Sequence, residues 1–403
     1  DRRALLIGGL QGAVGVLLAG RVAWISLAQN EKYTLASESN RVNLTLISPR
    51  RGAILDRNGA PLAANRADFR VDLIPDRLVN VDRTLTELGR LLKLSDVRIK
   101  DLKDKLEKAR GFQPVEVAAG LDWDSFAAIS VRLPDLPGVL AQRSFSRWYP
   151  TGPSVGHLIG YVGAASAEDY EKERNPLLVT PGFKIGKDGL EKFYETTLHG
   201  QTGFEEVETS AGGRAVRVLS RSPAVPGNNL ILSLDLRLQN AAEEALKGKR
   251  GALVALDPNT GDVLAIVSQP SFDPNLFVEG IDPDNWKILN ESIDRPLLNR
   301  PLAGAYPPGS TFKPFMAMAG LDKGVRYTTS AIRDPGYFDF GERRFMDDKI
   351  GGHGYVDLYT SIAESCNTYY YMLGNDLGID AISEYMAKFG FGSPTGIDIG
   401  GER

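Results

Sequence analysis

The chain has 403 residues, 42% of them hydrophobic, with a formal net charge of −4. That length holds two or three domains with genuine cores, and the near-balanced charge excludes broad nucleic-acid binding, which needs a basic face. The single cysteine, Cys366, excludes an intramolecular disulfide framework.

From the N-terminus, Leu5 to Ala28 is apolar or small apart from Gln11 and Arg21. It is long enough for one bilayer crossing, which takes roughly 20 residues. Arg2 and Arg3 precede it, which predicts a cytoplasmic N-terminus with the remainder outside. Gly8, Gly12, Gly15 and Ala19 make a small-residue face for close helix packing in lipid. A cleaved signal peptide is the competing reading of the same segment. The expected division is a tail at 1–3, a membrane helix at 4–28, a non-catalytic pedestal at 29–225 and a second domain at 226–403.

Within the pedestal, Gln29 to Asn40 reads as a helical stem and Arg41 to Pro49 as a strand. Asn58-Gly59 is a hairpin turn signal in the segment Arg50 to Gly59. Residues 66–160 read as a small mixed α/β module. Phe69 to Ile74 is strand-like, and Leu85, Leu88, Leu91 and Leu92 have helical spacing. Ser95 caps a second helix carrying Ile99, Leu102 and Leu106. Asp122 to Leu133 is a third helix, and Gly138 to Tyr149 is a strand. Residues 160–225 are rich in glycine and charge, with Leu190 to Leu198 the only firm element. Pro223 to Asn228 reads as a linker.

Beyond it, Leu230 to Leu234 is a strand and Leu236 to Leu246 an amphipathic helix. Ala252 to Leu256 and Val263 to Val267 flank Asp257-Pro258-Asn259-Thr260-Gly261 as a hairpin. The order predicts an α+β domain with helices on an antiparallel sheet.

Two short motifs carry chemistry. Ser310 and Lys313 are three apart where a Pro-Pro-Gly loop opens an apolar helix, Phe315 to Leu321. On a helix they share a face. A serine hydroxyl needs a base to become a nucleophile, and a lysine can be that base when burial or nearby positive charge lowers its pKa. The helix N-terminus adds backbone N–H donors near the serine. The plain alternative is a serine cap with an exposed lysine. The second motif is Ser365-Cys366-Asn367, whose serine and asparagine can point into one cleft; the plain alternative is a polar loop between helices. Asp334, Asp347, His353 and Cys366 offer oxygen, nitrogen and sulfur ligands that suit zinc, although their spacing is long and irregular. Loop residues around a buried thiol are the alternative there.

Together, S-x-x-K at 310–313 and S-x-N at 365–367 resemble the penicillin-recognising serine enzymes. The resemblance extends to RGAILDRNGAPLA at 51–63, GKDGLEKFYETTLHGQTG at 186–203, LSLDLRLQ at 232–239, DPNTGDVLAIVSQPSFDPNLF at 257–277 and NRPLAGAYPPGSTFKPF at 299–315. In this order they resemble the class B penicillin-binding proteins. YPPGSTFKP and the DPNLF segment are similar to the penicillin-binding protein 2 subfamily, the cell-elongation transpeptidases.

The resemblance implies an α+β, β-lactamase-like transpeptidase domain on an elongated pedestal behind a membrane helix in the bacterial inner membrane. It implies that Ser310 attacks the carbonyl between the terminal D-alanines of a peptidoglycan stem peptide, and that Lys313 takes its proton. Ser365 relays a proton to the leaving D-alanine, and Asn367 holds the peptide amide. β-Lactams acylate the same serine. It implies, for some subfamily members, a structural zinc on Asp334, Asp347, His353 and Cys366, bracing the Ser365–Asn367 loop. Expected partners are a SEDS glycosyltransferase (RodA) and an MreC-type scaffold. The division-specific class B enzymes share this chemistry, and a non-catalytic β-lactam sensor or scaffold would share the fold. The family's third motif, a Lys-Ser/Thr-Gly strand, does not follow Asn367 before Arg403. The expectation is that it lies on further chain and that these 403 residues alone are inactive.

Overall fold

Asp56 organises the first turn of the pedestal. Its carboxylate accepts from the backbone N–H of Asn58 at 2.8 Å and of Ala60 at 2.7 Å. This closes the turn between β2 (Ile54–Leu55) and β3 (Pro61–Leu73), which pair antiparallel. In this computed structural model, residues 42–109, 114–180, 182–209 and 215–402 are described. The expected membrane helix and the Gln29–Asn40 stem lie outside them. Among the described residues no helix is long and apolar enough to cross a membrane.

β3 runs for 13 residues, well beyond the predicted Phe69–Ile74. It pairs antiparallel with β4 (Val115–Leu121) and, along ten consecutive positions, with β5 (Val139–Trp148). Three helices cover one face: α1 (Val81–Leu92), α2 (Asp96–Lys108) and α3 (Trp123–Arg132). Each begins on a side-chain cap, from Asn80, Ser95 and Asp122, which satisfies a backbone donor the helix itself leaves open. Leu85, Leu88, Leu102 and Ile129 meet Val71, Leu73 and Val117 in one buried cluster. The helical spacing and the Ser95 cap thus form as the sequence predicts, while Asn80 caps the first helix and Asp122, expected inside the third, caps it instead.

The stretch 160–225 departs from expectation. Besides the short pair β6 (Val162–Gly163) and β7 (Ile185–Gly186), it forms a hairpin, β8 (Gly203–Thr209) and β9 (Ala215–Ser222). β8 pairs with β1 (Val42–Ile47) in a three-stranded sheet. Cross-strand pairing of Arg217 with Glu208, at 2.6 Å, explains why so charged a segment is a strand pair. The segment read as a linker is tied down: Val225 bridges Gln201, Gly227 N–H donates to Arg50 O, and Asn228 N–H donates to Thr197 O. The strand expected at 230–234 is only β10 (Leu230–Ile231), and it pairs parallel with β2.

The helix that follows, α4 (Leu236–Leu246), is capped by two carboxylates. Asp235 accepts from the N–H groups of Arg237 and Leu238, and Asp56 accepts from that of Leu236 at 3.1 Å. α4 packs on the hairpin β11 (Gly251–Leu256) and β12 (Val263–Gln269). Buried Gln239 accepts from Ile266 N–H at 2.9 Å and donates to Ile266 O at 2.8 Å, pairing the outer edge of β12.

A buried charge network joins two of the boxes quoted above. Glu191 accepts from Arg51 Nε at 2.5 Å and from Arg147 Nε at 2.6 Å, and Arg51 also reaches Glu195 at 2.7 Å. All of this lies in the first of two compact units, which divide between Pro301 and Leu302.

The second unit contains α5 (Lys313–Asp322), β13 (Ile332–Asp334), the ribbon β14 (Tyr337–Phe340) and β15 (Arg343–Met346), then β16 (Gly354–Val356), α6 (Leu358–Ala363) and α7 (Asn367–Ala387). β13 pairs with β16. α5 and α7 pack through Met316, Ala317, Ala319, Tyr369 and Leu373. Gly320 lets them approach closely, since a Cβ there would lie 2.9 Å from Leu373 Cδ1.

Candidate active site

The apolar helix predicted at 315–321 is present as α5, but Ser310 lies just before it, in the 3₁₀ turn Gly309–Phe312. Gly309 takes φ = 58°, a backbone state that glycine reaches without a Cβ penalty. The chain therefore bends sharply out of Pro307-Pro308 and delivers Ser310 at the head of the helix.

Ser365 sits 55 residues later between α6 and α7 and also has positive φ, at 55°. Its Oγ donates to Ser310 Oγ at 2.8 Å. Lys313 Nζ donates to Ser365 Oγ at 3.0 Å, to Asn367 Oδ1 at 2.6 Å, and to the carbonyl of Ser365. The four residues singled out in the sequence are brought together. The sequence puts Lys313 beside Ser310 on one helix face; here the hydrogen-bonded path from Lys313 to Ser310 runs through Ser365.

Burial pulls the Lys313 ammonium below its ordinary pKa, opposed by the acidic groups of Asp347, Asp348 and Cys366. Tyr370, which the sequence reading passed over, lies with its ring centroid 5.5 Å from Lys313 Nζ. Its hydroxyl is held by Ser361 Oγ at 3.1 Å. The only sequence signal was position: Tyr370 is three residues after Asn367 on α7, so the two share a face.

Asp334, Asp347, His353 and Cys366 converge, with one ligand atom from each within 4.8 Å of all the others. His353 Nδ1 is 2.8 Å from Asp334 Oδ2 and 3.7 Å from Asp347 Oδ1. Cys366 Sγ is 3.5 Å from Asp334 Oδ2 and 3.4 Å from Asp347 Oδ2. Burial pushes the thiol up to about 12, and the two carboxylates add to the effect. Burial also disfavours a charged Asp347, but donors that include Thr368 N–H hold its carboxyl well below the usual range. Two buried carboxylates against one thiol and one imidazole is a donor set that fits a divalent cation, which would offset the crowded negative charge. The chemistry of the donors suits zinc.

Two hydrogen-bonded serine hydroxyls, a lysine of lowered pKa and a carboxamide are parts from which a serine acyl-transfer site can be built. Comparison with known proteins agrees with that chemistry. Residues 46–232 match the penicillin-binding protein dimerisation domain, and residues 251–403 match the penicillin-binding protein transpeptidase domain. The chain belongs to the penicillin-binding protein family, on the branch of penicillin-binding protein 2. It is 41% identical over 389 residues to the peptidoglycan D,D-transpeptidase MrdA of Acinetobacter baumannii, covering 96% of this chain and 58% of that protein. It is 39% identical over 408 residues to MrdA of Escherichia coli K12, covering 100% of this chain and 64% of that one. The chain thus spans less than two thirds of these relatives. The structure of penicillin-binding protein 2 in complex with MreC from Helicobacter pylori superposes with a TM-score of 0.79 at 30% identity, covering 90% of this chain and 68% of that one. The two-domain α/β organisation, dimerisation then transpeptidase, is that of the family.

Proposed function

We propose that this chain carries the pedestal and the nucleophile half of the active site of a peptidoglycan D,D-transpeptidase of cell elongation. The observation that carries the reading is the link from Ser310 through Ser365 to Lys313 and Asn367. Ser310 Oγ attacks the carbonyl carbon between the terminal D-alanines. Its proton passes by way of Ser365 to the Lys313 amine. The C–N bond then breaks, and the leaving D-alanine amine takes a proton back along the same path. The acyl ester on Ser310 is opened by an amino group of a second stem peptide, which forms the crosslink and restores the serine. A β-lactam acylates Ser310 by the same first step. Asn367, whose Oδ1 is held by Lys313, turns its amide to the peptide backbone of the substrate.

The protein is anchored in the inner membrane by the apolar segment at 4–28, with catalysis on the outer side. Its partners are an MreC-type scaffold, as in the Helicobacter pylori complex, and a RodA-type glycosyltransferase. Asp334, Asp347, His353 and Cys366 hold a structural zinc that, when bound, fixes the position of Cys366 and so of the residues on either side of it.

Labelling of the full-length protein with a fluorescent penicillin, followed by a peptide crosslinking assay, tests the activity. Label and crosslinks that vanish in Ser310→Ala support it. Label without crosslinks would make the protein a β-lactam sensor, and absence of label in the wild type would leave a scaffold. Elemental analysis of full-length protein purified without chelator tests the metal: one zinc per chain is expected, and none would remove zinc from the account.

A further inference from the structure

The geometry points to a docking cleft, outside the acyl-transfer site, for a partner protein segment that presents a large apolar side chain next to a carboxylate. The cleft lies between the ribbon β14–β15 and α7 and has a volume of about 410 Å³. That falls within the range of sites that hold a ligand group. Phe338, Phe340 and Phe345 line it from the ribbon, and Tyr371, Asn375 and Ile379 from the helix. Apolar side chains normally bury themselves, yet among the described residues nothing covers Phe340, 59% exposed, or Ile379, 76%. Asn375 and the hydroxyl of Tyr371 are the only polar side-chain groups in the lining.

Two features make the cleft a built one. α7 breaks its helical geometry at Gly378, where φ is 74°, and Gly374 and Gly378 leave gaps in the helix wall between Tyr371, Asn375 and Ile379. The ribbon is pinned at its base. Asp334 precedes it and Asp347 follows it, and Asp347 N–H donates to Gly336 O at 2.9 Å. Both acids belong to the four-residue cluster, so the aromatic wall is fixed to the same frame as Cys366.

The partner's charge follows from the ribbon's two faces. Directly opposed residues of an antiparallel pair share a face. Phe338 opposes Phe345, and Phe340 opposes Arg343, so Arg343 stands on the cleft face at the tip. On the other face Asp339 opposes Arg344 and satisfies it in a bidentate pair at 2.7 and 2.9 Å, with Arg344 over the Tyr337 ring. Among the described residues Arg343 has no such acid. An exposed arginine beside an aromatic cleft complements an acidic group next to an apolar anchor.

The probe is a fluorescein-labelled Ala-Trp-Glu-Ala peptide, with Ala-Trp-Gln-Ala and Ala-Trp-Lys-Ala as companions, titrated against full-length protein by anisotropy. Saturable binding with order Glu over Gln over Lys is expected. Arg343→Glu should invert the order of Glu and Lys, and Ile379→Glu should weaken the Glu peptide at least fivefold. Both positions are exposed, so penicillin labelling of Ser310 should be unchanged, which keeps the result separate from the fate of the proposed activity. Equal binding of the three peptides, or none, overturns the proposal. A sedimentation coefficient that falls in Ile379→Glu would assign the cleft to a second copy, and binding of the wild type to vesicles that Ile379→Glu abolishes would assign it to lipid; either result also overturns it.

Discussion

Ser365 Oγ donates to Ser310 Oγ across 2.8 Å, although the two serines are 55 positions apart. Ser365 holds this place with φ = 55°, a left-handed state that costs a non-glycine residue about 1–2 kcal/mol. Removing the hydroxyl and relieving the backbone can therefore be separated. Ser365→Ala and Ser365→Gly should each lower the second-order rate of acylation by penicillin on the order of 10²-fold, the scale of a lost proton-transfer partner. The glycine variant should be more stable than the alanine variant by about 1 kcal/mol. Stopped-flow labelling and urea unfolding check the two halves, and equal stability of the variants would deny the strain.

Lys313 works as a base only in its neutral form. Burial lowers its pKa below the ordinary 10.5. As pH rises the free amine accumulates, so the acylation rate should climb with a midpoint below 10.5. Lys313→Arg, which stays charged in this range, should abolish the climb. A wild-type rate that shows no rise with pH anywhere below 10.5 would remove Lys313 from the role.

His157 provides a pH signature in the pedestal unit. Burial pulls its imidazole down to about 4 from 6.5, while its Nε2 lies 2.8 Å from Pro296 O and its ring packs edge-on against Phe272. Its folded pKa is depressed, so its contribution is present above pH 6.5. It is lost as pH falls toward 4, because the unfolded chain takes a proton that the native state refuses. The loss over that window is about 3 kcal/mol. Denaturant unfolding at several pH values should show it, and His157→Gln should flatten the slope relative to wild type.

Glu191 bridges Arg51 and Arg147 with its carboxylate completely buried. Glu191→Ala leaves the buried Arg147 guanidinium without its acid and Arg51 with Glu195 alone, and should destabilise the protein by about 3–5 kcal/mol. Since Ser310 belongs to the other compact unit, penicillin labelling at low temperature should persist while the unfolding midpoint falls. A variant as stable as wild type would show that the network contributes nothing.

Much of this architecture was legible in the sequence where the signal is local. The spacing of Leu85 and Leu88, the cap at Ser95, and the DPNTG turn each act within a few residues, and each forms as read. The hairpin β8–β9 was not legible. Glu205, Glu206 and Glu208 look like a solvated run until β9 places Arg217 and Arg221 across from them and β1, about 160 residues earlier, completes the sheet. The long central part of β3 was hidden in the same way, because Asn65-Arg66-Ala67-Asp68 is mostly polar and the strand was read only from Phe69, while β5 pairs with every residue of it. At the site, the two short motifs were visible and their resemblance to a family supplied the roles. The path through Ser365 and the floor under Lys313 depend on tertiary placement that spacing alone does not encode.

The double cap on α4 bears on the order in which the chain acquires structure. One of its three capped N–H groups is satisfied by Asp56, 180 residues upstream, and β10 just before it has β2 as its partner strand. Such distant closure is slow to find in a full chain, but synthesis delivers residues 50–60 long before residue 236 emerges. The box is then waiting when the helix is made. A fragment that starts at Asn229 has no such template: its first strand has lost its partner and its first helix begins with an open donor. Excising the transpeptidase portion at that boundary thus removes the element on which its first turn of helix is built.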